Sequence, residues 1–130
     1  MRSMLKYLGI DWGEKRIGLA TGDSETCLAL PFKPVANLDA LLQVITEEDV
    51  DELVLGVPLK MSRPEDSLNP DFYEFALQLA SKSSLLIHQM DERLSSLGAD
   101  ALIGNKKTKA GRDEIAAALI LQTYLDRLAG

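Results

Sequence analysis

The sequence has 130 residues, a length that suits one compact domain over residues 1–130, because two domains would each be too small to bury an ordinary core. Hydrophobic residues make up 46% of the chain and charged residues 26%, and 14 basic against 20 acidic side chains give a formal net charge of −6. These values are typical of a globular protein. This composition excludes a disordered protein. A membrane-spanning protein is excluded because no run approaches the ~18 apolar residues of a membrane-spanning helix.

The first part of the chain predicts three antiparallel strands. The segment MLKYLGID is apolar, WGEK supplies a turn, and RIGLATGD resumes the strand pattern, which together indicate a hairpin. A third strand is expected over residues 27–32, after the turn signal Gly22-Asp23-Ser24.

The pattern then changes to alternating helices and strands. Leu38, Leu41, Leu42 and Ile45 recur at helical spacing behind Asn37, which predicts an amphipathic helix with Asn37 as its N-cap. The apolar run LVLGV (53–57) predicts a strand covered on both faces.

Two further helices, a strand and a short helix complete the prediction. Pro70 begins a helix with an inner stripe, and residues 83–90 form a strand. A short helix runs from Ser95 or Ser96 to about residue 103, and the last helix covers about residues 113–129. The inner stripe of the earlier helix consists of Phe72, Phe75, Ala76 and Leu79, and that of the last helix of Ile115, Ala118, Leu121, Leu125 and Leu128.

The element order βββαβαβαα predicts the fold class. A meander followed by alternating units implies one α/β domain, with a mixed five-stranded sheet and helices on both faces.

Three acidic residues stand where strands end or a helix begins. Asp11 ends the first strand, Glu92 follows the strand at 83–90, and Asp113 opens the last helix. Taken singly, each has an ordinary structural interpretation as a turn residue, a surface ion-pair partner or an N-cap. Ligands of open α/β sheets gather beyond the carboxyl ends of the strands, so we expect the three carboxylates at one rim.

Converging carboxylates repel one another unless a cation neutralises them. Oxygen ligands suit Mg²⁺ or Mn²⁺, which leave remaining coordination positions to water and phosphate. Two such ions ~4 Å apart activate a water and stabilise the leaving oxygen of a phosphodiester. The expected cofactor is therefore Mg²⁺ or Mn²⁺, with two ions in the site.

Four segments resemble the motif blocks of a known family. They are GIDWGEKRIGLATGD (9–23), VLGVPLKMS (54–62), DERLSSLGADALI (91–103) and DEIAAALILQTYLD (113–126), and they resemble the YqgF/RuvX family in the family's order. Members of that family are described as Holliday junction resolvase-like proteins or pre-16S rRNA nucleases. The resemblance covers nearly the whole chain and implies an RNase H-like fold.

The resemblance also implies roles for individual residues. Asp11, Glu92 and Asp113 correspond to metal-binding, catalytic acids, and the adjacent Asp91 is a candidate fourth ligand. Arg16 and Arg93 stand where they would meet phosphate or orient the acids, with ordinary surface ion pairs as the alternative.

Charge is unevenly distributed along the chain. Five acids fall within residues 47–52, so the net acidity is local and does not argue against a nucleic-acid partner. A basic segment follows the predicted short helix, and we expect it to grip the nucleic-acid backbone without reading sequence, unless it is only a solvated loop. The cations of this segment are Lys106, Lys107, Lys109 and Arg112. Lys60 adds a cation from the loop after residue 57, and that loop departs from the family by carrying Arg63 where Gly is common.

The expected function is hydrolysis of phosphodiester bonds in structured nucleic acid. By resemblance, the task is processing of precursor 16S rRNA ends, with cleavage of branched DNA as the alternative; a junction resolvase would be expected to act as a homodimer. A non-catalytic nucleic-acid-binding module is a further alternative. Nucleotide-dependent phosphotransferases open with a similar Gly-rich Asp hairpin, but they need two such domains to enclose the nucleotide.

Cysteine and histidine content indicates the setting. Cys27 cannot form an internal disulfide, and one cysteine with one histidine cannot build a structural zinc site. The first residues also lack the apolar run of a signal peptide. We expect a cytoplasmic protein in which His88, within a strand, is a packed and hydrogen-bonded residue.

Overall fold

The computed structural model describes residues 4–57, 70–91 and 112–129, with the backbone alone for residues 112–114. The strands are β1 (Lys6–Trp12), β2 (Ile17–Asp23), β3 (Leu30–Val35), β4 (Glu52–Val57) and β5 (Leu86–Asp91). The helices of this part of the chain are α1 (Leu38–Glu47), α2 (Pro70–Ser83) and α3 (Arg112–Ala129). The short helix expected near residues 95–103 lies outside the described residues.

The strands form one mixed sheet in the order β3-β2-β1-β4-β5. β1 pairs with β2 and β2 with β3 in antiparallel fashion, whereas β1 pairs with β4 and β4 with β5 in parallel. The mixed five-stranded sheet predicted from the sequence is confirmed. Because β1, β4 and β5 point the same way, their last residues, Trp12, Val57 and Asp91, define one border of the sheet, here called the carboxyl edge.

One face of the sheet packs against α1 and α2. The even-numbered residues of β1, Leu8 and Ile10, lie beside Leu53 and Leu55 of β4, as the two-residue strand period requires. All four side chains are fully or almost fully buried and form one core with the inner faces of both helices. The helical side of this core includes Leu41, Ile45, Phe72, Phe75 and Leu79.

The opposite face packs against α3. Its core combines side chains of four strands with the inner stripe of that helix, namely Tyr7, Ala20, Val54, Met90, Ala117, Ile120, Leu121 and Leu125. Gly9 of β1 lies directly beneath the helix, where an added Cβ would stand 2.8 Å from Leu121 Cβ and 2.9 Å from the Ala117 carbonyl oxygen. Glycine is therefore required for α3 to approach the sheet this closely.

The predicted stripe of α3 is partly wrong. Ile115, Leu121 and Leu125 are buried and Ala118 is half-buried as expected, but Leu128 is 49% exposed. Leu125 already contacts Gly22 near the end of β2, so the next helical turn passes beyond the sheet.

Two strand boundaries differ from the prediction, each because of the segment that precedes the strand. The third strand begins at Leu30 and not at residue 27, because Asp23 Oδ1 accepts bonds from Thr26 N at 2.7 Å and Glu25 N at 3.0 Å, which extends the turn. The fifth strand begins at Leu86, since α2 continues to Ser83.

Two helix starts predicted from the sequence are confirmed, whereas the last helix begins at Arg112, one residue before the predicted Asp113. Asn37 caps α1, with its side-chain oxygen accepting from Ala40 N at 2.9 Å, and α2 begins at Pro70. Within the described part of the chain, no helix has the length and apolar character needed to cross a membrane.

Candidate active site

Asp11 is the one buried charged side chain in the part of the chain that the structure describes. It is 7% exposed, and its Oδ1 atom is shielded from solvent. Its backbone is held between Ile10 and Trp12 in β1 and pairs with Gly18 of β2. A buried carboxylate on a paired strand is a rigid ligand, and the low local dielectric strengthens its attraction for a cation.

Asp11 lies on the face of the sheet that α3 covers. Strand alternation places it with Tyr7 and Gly9, both of which contact or approach that helix. Its 7% exposure agrees with a position on this covered side of the sheet.

The contacts of two glycines define how α3 crosses β1. Gly9 lies against Ala117 and Leu121, whereas Gly22, which pairs with Tyr7, lies against Leu121 and Leu125. Moving forward along β1 thus corresponds to moving backward along α3. The helix runs antiparallel to β1, and its first turn points toward the carboxyl edge.

This crossing brings the start of α3 level with Asp11. Asp11 is two residues beyond Gly9 on β1, which is an advance of ~6.6 Å along the strand. About four residues of a helix span the same distance. Counting back from Ala117 and Leu121, the helical turn level with Asp11 covers backbone positions 113–117. By its backbone position, Asp113, the second residue of α3, lies at the end of this turn.

Another of the predicted acids, Asp91, lies at the end of β5. Asp91 is the last residue of that strand, pairs with Val57 and is half-buried. Met90 belongs to the core beneath α3, so alternation places Asp91 on the opposite face of the sheet from Asp11. Glu92, the next residue in the sequence, lies outside the described residues.

The turn between β1 and β2 supplies positive charge next to Asp11. Its residues Gly13, Glu14, Lys15 and Arg16 line an open depression of about 550 Å³, and the three charged side chains are exposed. A Cβ on Gly13 would lie 2.7 Å from the Arg16 carbonyl oxygen, so glycine keeps the turn tight. Lys15 adds a cation that its position beside Arg16 could have indicated in the sequence.

Trp12 at the end of β1 fixes α2 to the same border. Its ring meets Phe72 edge to face, with centroids 5.9 Å apart, and lies 6.3 Å from the Phe75 centroid. The indole is thereby committed to packing between the sheet and α2.

Several predicted site residues have no described side chain. Arg112 and Asp113 are located by their backbone in the first turn of α3. The remaining predicted ligands and cations that lie outside the described residues are Lys60, Glu92, Arg93, Lys106, Lys107 and Lys109. Among the side chains that are described, no three His, Cys, Asp or Glu residues are grouped so that they could hold a metal ion.

The sequence matches a known family along nearly its whole length. The family described as "RuvX: Holliday junction resolvase" matches residues 5–127. A protein of Maridesulfovibrio salexigens is 36% identical, covering 95% of this chain and 99% of its own length. A protein of Endomicrobium trichonymphae is 35% identical, covering 95% and 96%. Both relatives carry the name "Putative pre-16S rRNA nuclease".

A solved structure has a similar fold. It is that of T. thermophilus RuvC in complex with a Holliday junction substrate, which matches with a TM-score of 0.63 and covers 97% of both chains at 13% sequence identity. At this identity the likeness concerns the fold alone, and it confirms the expected RNase H-like fold.

Proposed function

The chain belongs to the RuvX family of Holliday junction resolvases, and on this premise we propose that it is a divalent-metal-dependent nuclease that processes the ends of precursor 16S rRNA. Nuclease activity is what the names of its curated relatives state for those proteins. The proposal includes a cytoplasmic location, where such a substrate would be met, and a single nuclease domain over residues 1–130.

The observation that carries this proposal is the buried carboxylate of Asp11 at the carboxyl edge. Asp11 lies on the face covered by α3, and Asp113 is the second residue of that helix. In the sequence, Glu92 is the residue that follows β5. Ligand sites of α/β sheets occur beyond such strand ends.

The donor set fits a hard divalent cation. Asp11, Glu92 and Asp113 would all contribute carboxylate oxygens, which Mg²⁺ and Mn²⁺ prefer, and Asp91 is kept as a candidate fourth ligand. When bound, two such ions activate a water for attack on phosphorus and stabilise the leaving oxygen.

The protein's own side chains have separate tasks in this proposal. Asp11 would supply a ligand whose backbone is held by pairing with β2. Arg16 and Lys15, exposed on the adjacent turn, attract a phosphate of the substrate toward it. The cations proposed to hold the rest of the nucleic-acid backbone are Lys60, Arg93, Lys106, Lys107, Lys109 and Arg112.

A cleavage panel tests the proposal. Precursor rRNA ends, four-way DNA junctions and single strands are incubated with the protein in Mg²⁺, in Mn²⁺ and in chelator. We expect metal-dependent cleavage of the rRNA precursor, and its loss in Asp11→Asn. Undiminished cleavage in the chelator or by the variant would contradict metal-dependent catalysis at this site.

Branched DNA is the second candidate substrate, favoured by the description of the matching family. Symmetric cleavage of a four-way junction requires two active sites related by a two-fold axis, hence a homodimer. If the junction is cleaved faster than the rRNA precursor and the protein elutes as a dimer, this candidate replaces the rRNA substrate.

A further inference from the structure

Four polar and aromatic side chains meet beneath α3, at the end of the sheet away from the carboxyl edge. They are Tyr7 of β1, Glu52 of β4, His88 of β5 and Tyr124 of α3, here called the Tyr–His–Glu cluster. Tyr7 precedes Asp11 by four residues on β1, a distance of ~13 Å along an extended strand. The cluster therefore lies outside the candidate active site.

His88 joins two neighbours through a single ring nitrogen. Its Nε2 atom lies 2.6 Å from Glu52 Oε1 and 3.1 Å from the Tyr124 hydroxyl oxygen. An ionised carboxylate can only accept a hydrogen bond, so Nε2 carries the ring hydrogen and donates a hydrogen bond to Glu52. The imidazole also stacks on the Tyr124 ring, with centroids 4.5 Å apart and planes inclined by 28°.

Tyr124 extends the network to β1. Its ring meets that of Tyr7 edge to face, with centroids 5.5 Å apart, and the two hydroxyls share a hydrogen bond. Burial, followed by the negative charge of Glu52, raises the pKa of Tyr7, whereas the bond from Tyr124 lowers it. Burial, the charges of Tyr7 and Glu52, and that same bond raise the pKa of Tyr124 to about 12. Both phenols thus remain protonated and hydrogen-bonded at neutral pH.

The cluster connects every described element that leads to a proposed ligand. β1 carries Asp11, α3 carries Asp113, and β5 leads into Glu92. Apolar packing of α3 through Leu121 and Leu125 tolerates small sliding movements, but hydrogen bonds have narrow requirements of distance and angle. A second hydrogen bond of α3, which Gln122 Nε2 donates to the Cys27 carbonyl oxygen at 2.9 Å, connects the helix to the segment before β3.

β5 depends on this connection more than the central strands do. Among the described strands it pairs with β4 alone at the edge of the sheet, and its exposed Leu86 adds little packing. The bonds of His88 to Glu52 and Tyr124 tie this strand to both its neighbour and the helix above it.

We propose that Tyr124, His88 and Glu52 are positioning residues that hold α3 and the end of β5 in place relative to Asp11. The inference rests on the proposed function, because it assumes that Asp11, Glu92 and Asp113 bind the metal ions. Loss of the cluster lets α3 and β5 shift relative to β1, and a shift of ~1 Å at a catalytic site is enough to lower its activity strongly.

The test measures metal binding apart from catalysis. Mn²⁺ binding by calorimetry and the Mg²⁺ concentration for half-maximal cleavage are compared in wild type, Tyr124→Phe, His88→Ala and His88→Gln. Tyr124→Phe keeps the stacked ring and removes only the hydroxyl. His88→Gln keeps an N–H close to the position of Nε2, so it can still donate to Glu52.

We expect Tyr124→Phe and His88→Ala to weaken Mn²⁺ binding and raise the Mg²⁺ midpoint by about tenfold, with His88→Gln within about threefold of wild type. Ile45→Val serves as the control, since it trims a buried residue of α1 on the opposite face at a comparable loss of stability. This control should leave both metal measurements unchanged.

Two results would overturn the inference. Tyr124→Phe and His88→Ala could retain wild-type metal binding, or Ile45→Val could weaken it as much as they do. Asp11→Asn, measured in parallel, separates this failure from that of the proposed function. If Asp11→Asn abolishes Mn²⁺ binding while Tyr124→Phe does not weaken it, only the positioning role is wrong. If Asp11→Asn also binds Mn²⁺ normally, the metal site itself is wrong.

Discussion

The two ends of the α3-covered face of the sheet differ in the chemistry they bury. At the carboxyl edge, β1 presents the buried carboxylate of Asp11 beside the first turn of the helix. At the far end, Tyr7, Glu52, His88 and Tyr124 satisfy one another through hydrogen bonds and ring contacts. The first end buries a charged group, and the second buries a hydrogen-bonded polar network. In the account proposed above, the first end binds the ligand and the second aligns the helix.

The largest effect is expected from replacing Glu92, which follows β5, in comparison with Asp91, the last residue of that strand. Glu92→Gln should lower cleavage on the order of 10³-fold, since it removes a proposed ligand charge. Asp91→Asn should lower it less than ~10-fold, because alternation places Asp91 on the opposite face from Asp11. Turnover at saturating Mg²⁺ for both variants measures this difference. A greater loss in Asp91→Asn would exchange the two roles.

Gly9 lies beneath α3 between the two ends. Gly9→Ala should destabilise the fold by ~1–3 kcal/mol, since the new methyl group would meet Leu121 and the backbone of Ala117. The same displacement of α3 should reduce cleavage. Urea unfolding and turnover are measured together. Wild-type stability and wild-type turnover in Gly9→Ala would contradict the account, because they would show that α3 can move away from the sheet without effect.

The cations of the β1–β2 turn should contribute to binding more than to chemistry. Lys15→Ala combined with Arg16→Ala should raise KM several-fold with a small change in kcat, because the exposed side chains attract phosphate. The salt dependence of binding should become shallower by about two counterions. A change confined to kcat would instead give these residues a role at the reacting phosphate.

The smallest effect concerns the turn before β3. Bonds from Thr26 and Glu25 to the carboxylate of Asp23 lower its pKa below the usual 3.8. The charged form therefore stabilises the fold above the unfolded-state pKa, and this stability is lost as the pH falls through the folded pKa. Asp23→Asn should lower Tm at pH 7 and have less effect near pH 3. Equal losses at both pH values would show that the charge contributes nothing.

The features that the sequence predicted correctly have local causes. The cap of α1 at Asn37, the start of α2 at Pro70 and the apolar run of β4 each depend on a few neighbouring residues. The features that were missed depend on contacts between distant segments. Leu128 is exposed because the sheet ends before the helix does, a length that helical spacing cannot reveal.

The same distinction applies to the two ends of the α3-covered face. His88 was predicted to be packed and hydrogen-bonded, which is confirmed, but its partners Glu52 and Tyr124 are each 36 residues away in the sequence. Only the parallel register of β4 with β5 and the crossing of α3 bring them together. The ligand roles of Glu92 and Asp113 remain predictions, supported by the family resemblance and by the position of α3.

Calorimetric titration of Mn²⁺ into wild type and Asp11→Asn tests the central claim most directly. Asparagine has nearly the same shape, so the variant should fold normally, with circular dichroism as the check. We predict saturable Mn²⁺ binding by the wild-type protein and at least ~100-fold weaker binding by the variant, together with loss of nuclease activity. Equal binding and equal cleavage by both proteins would contradict a metal site built on the buried carboxylate.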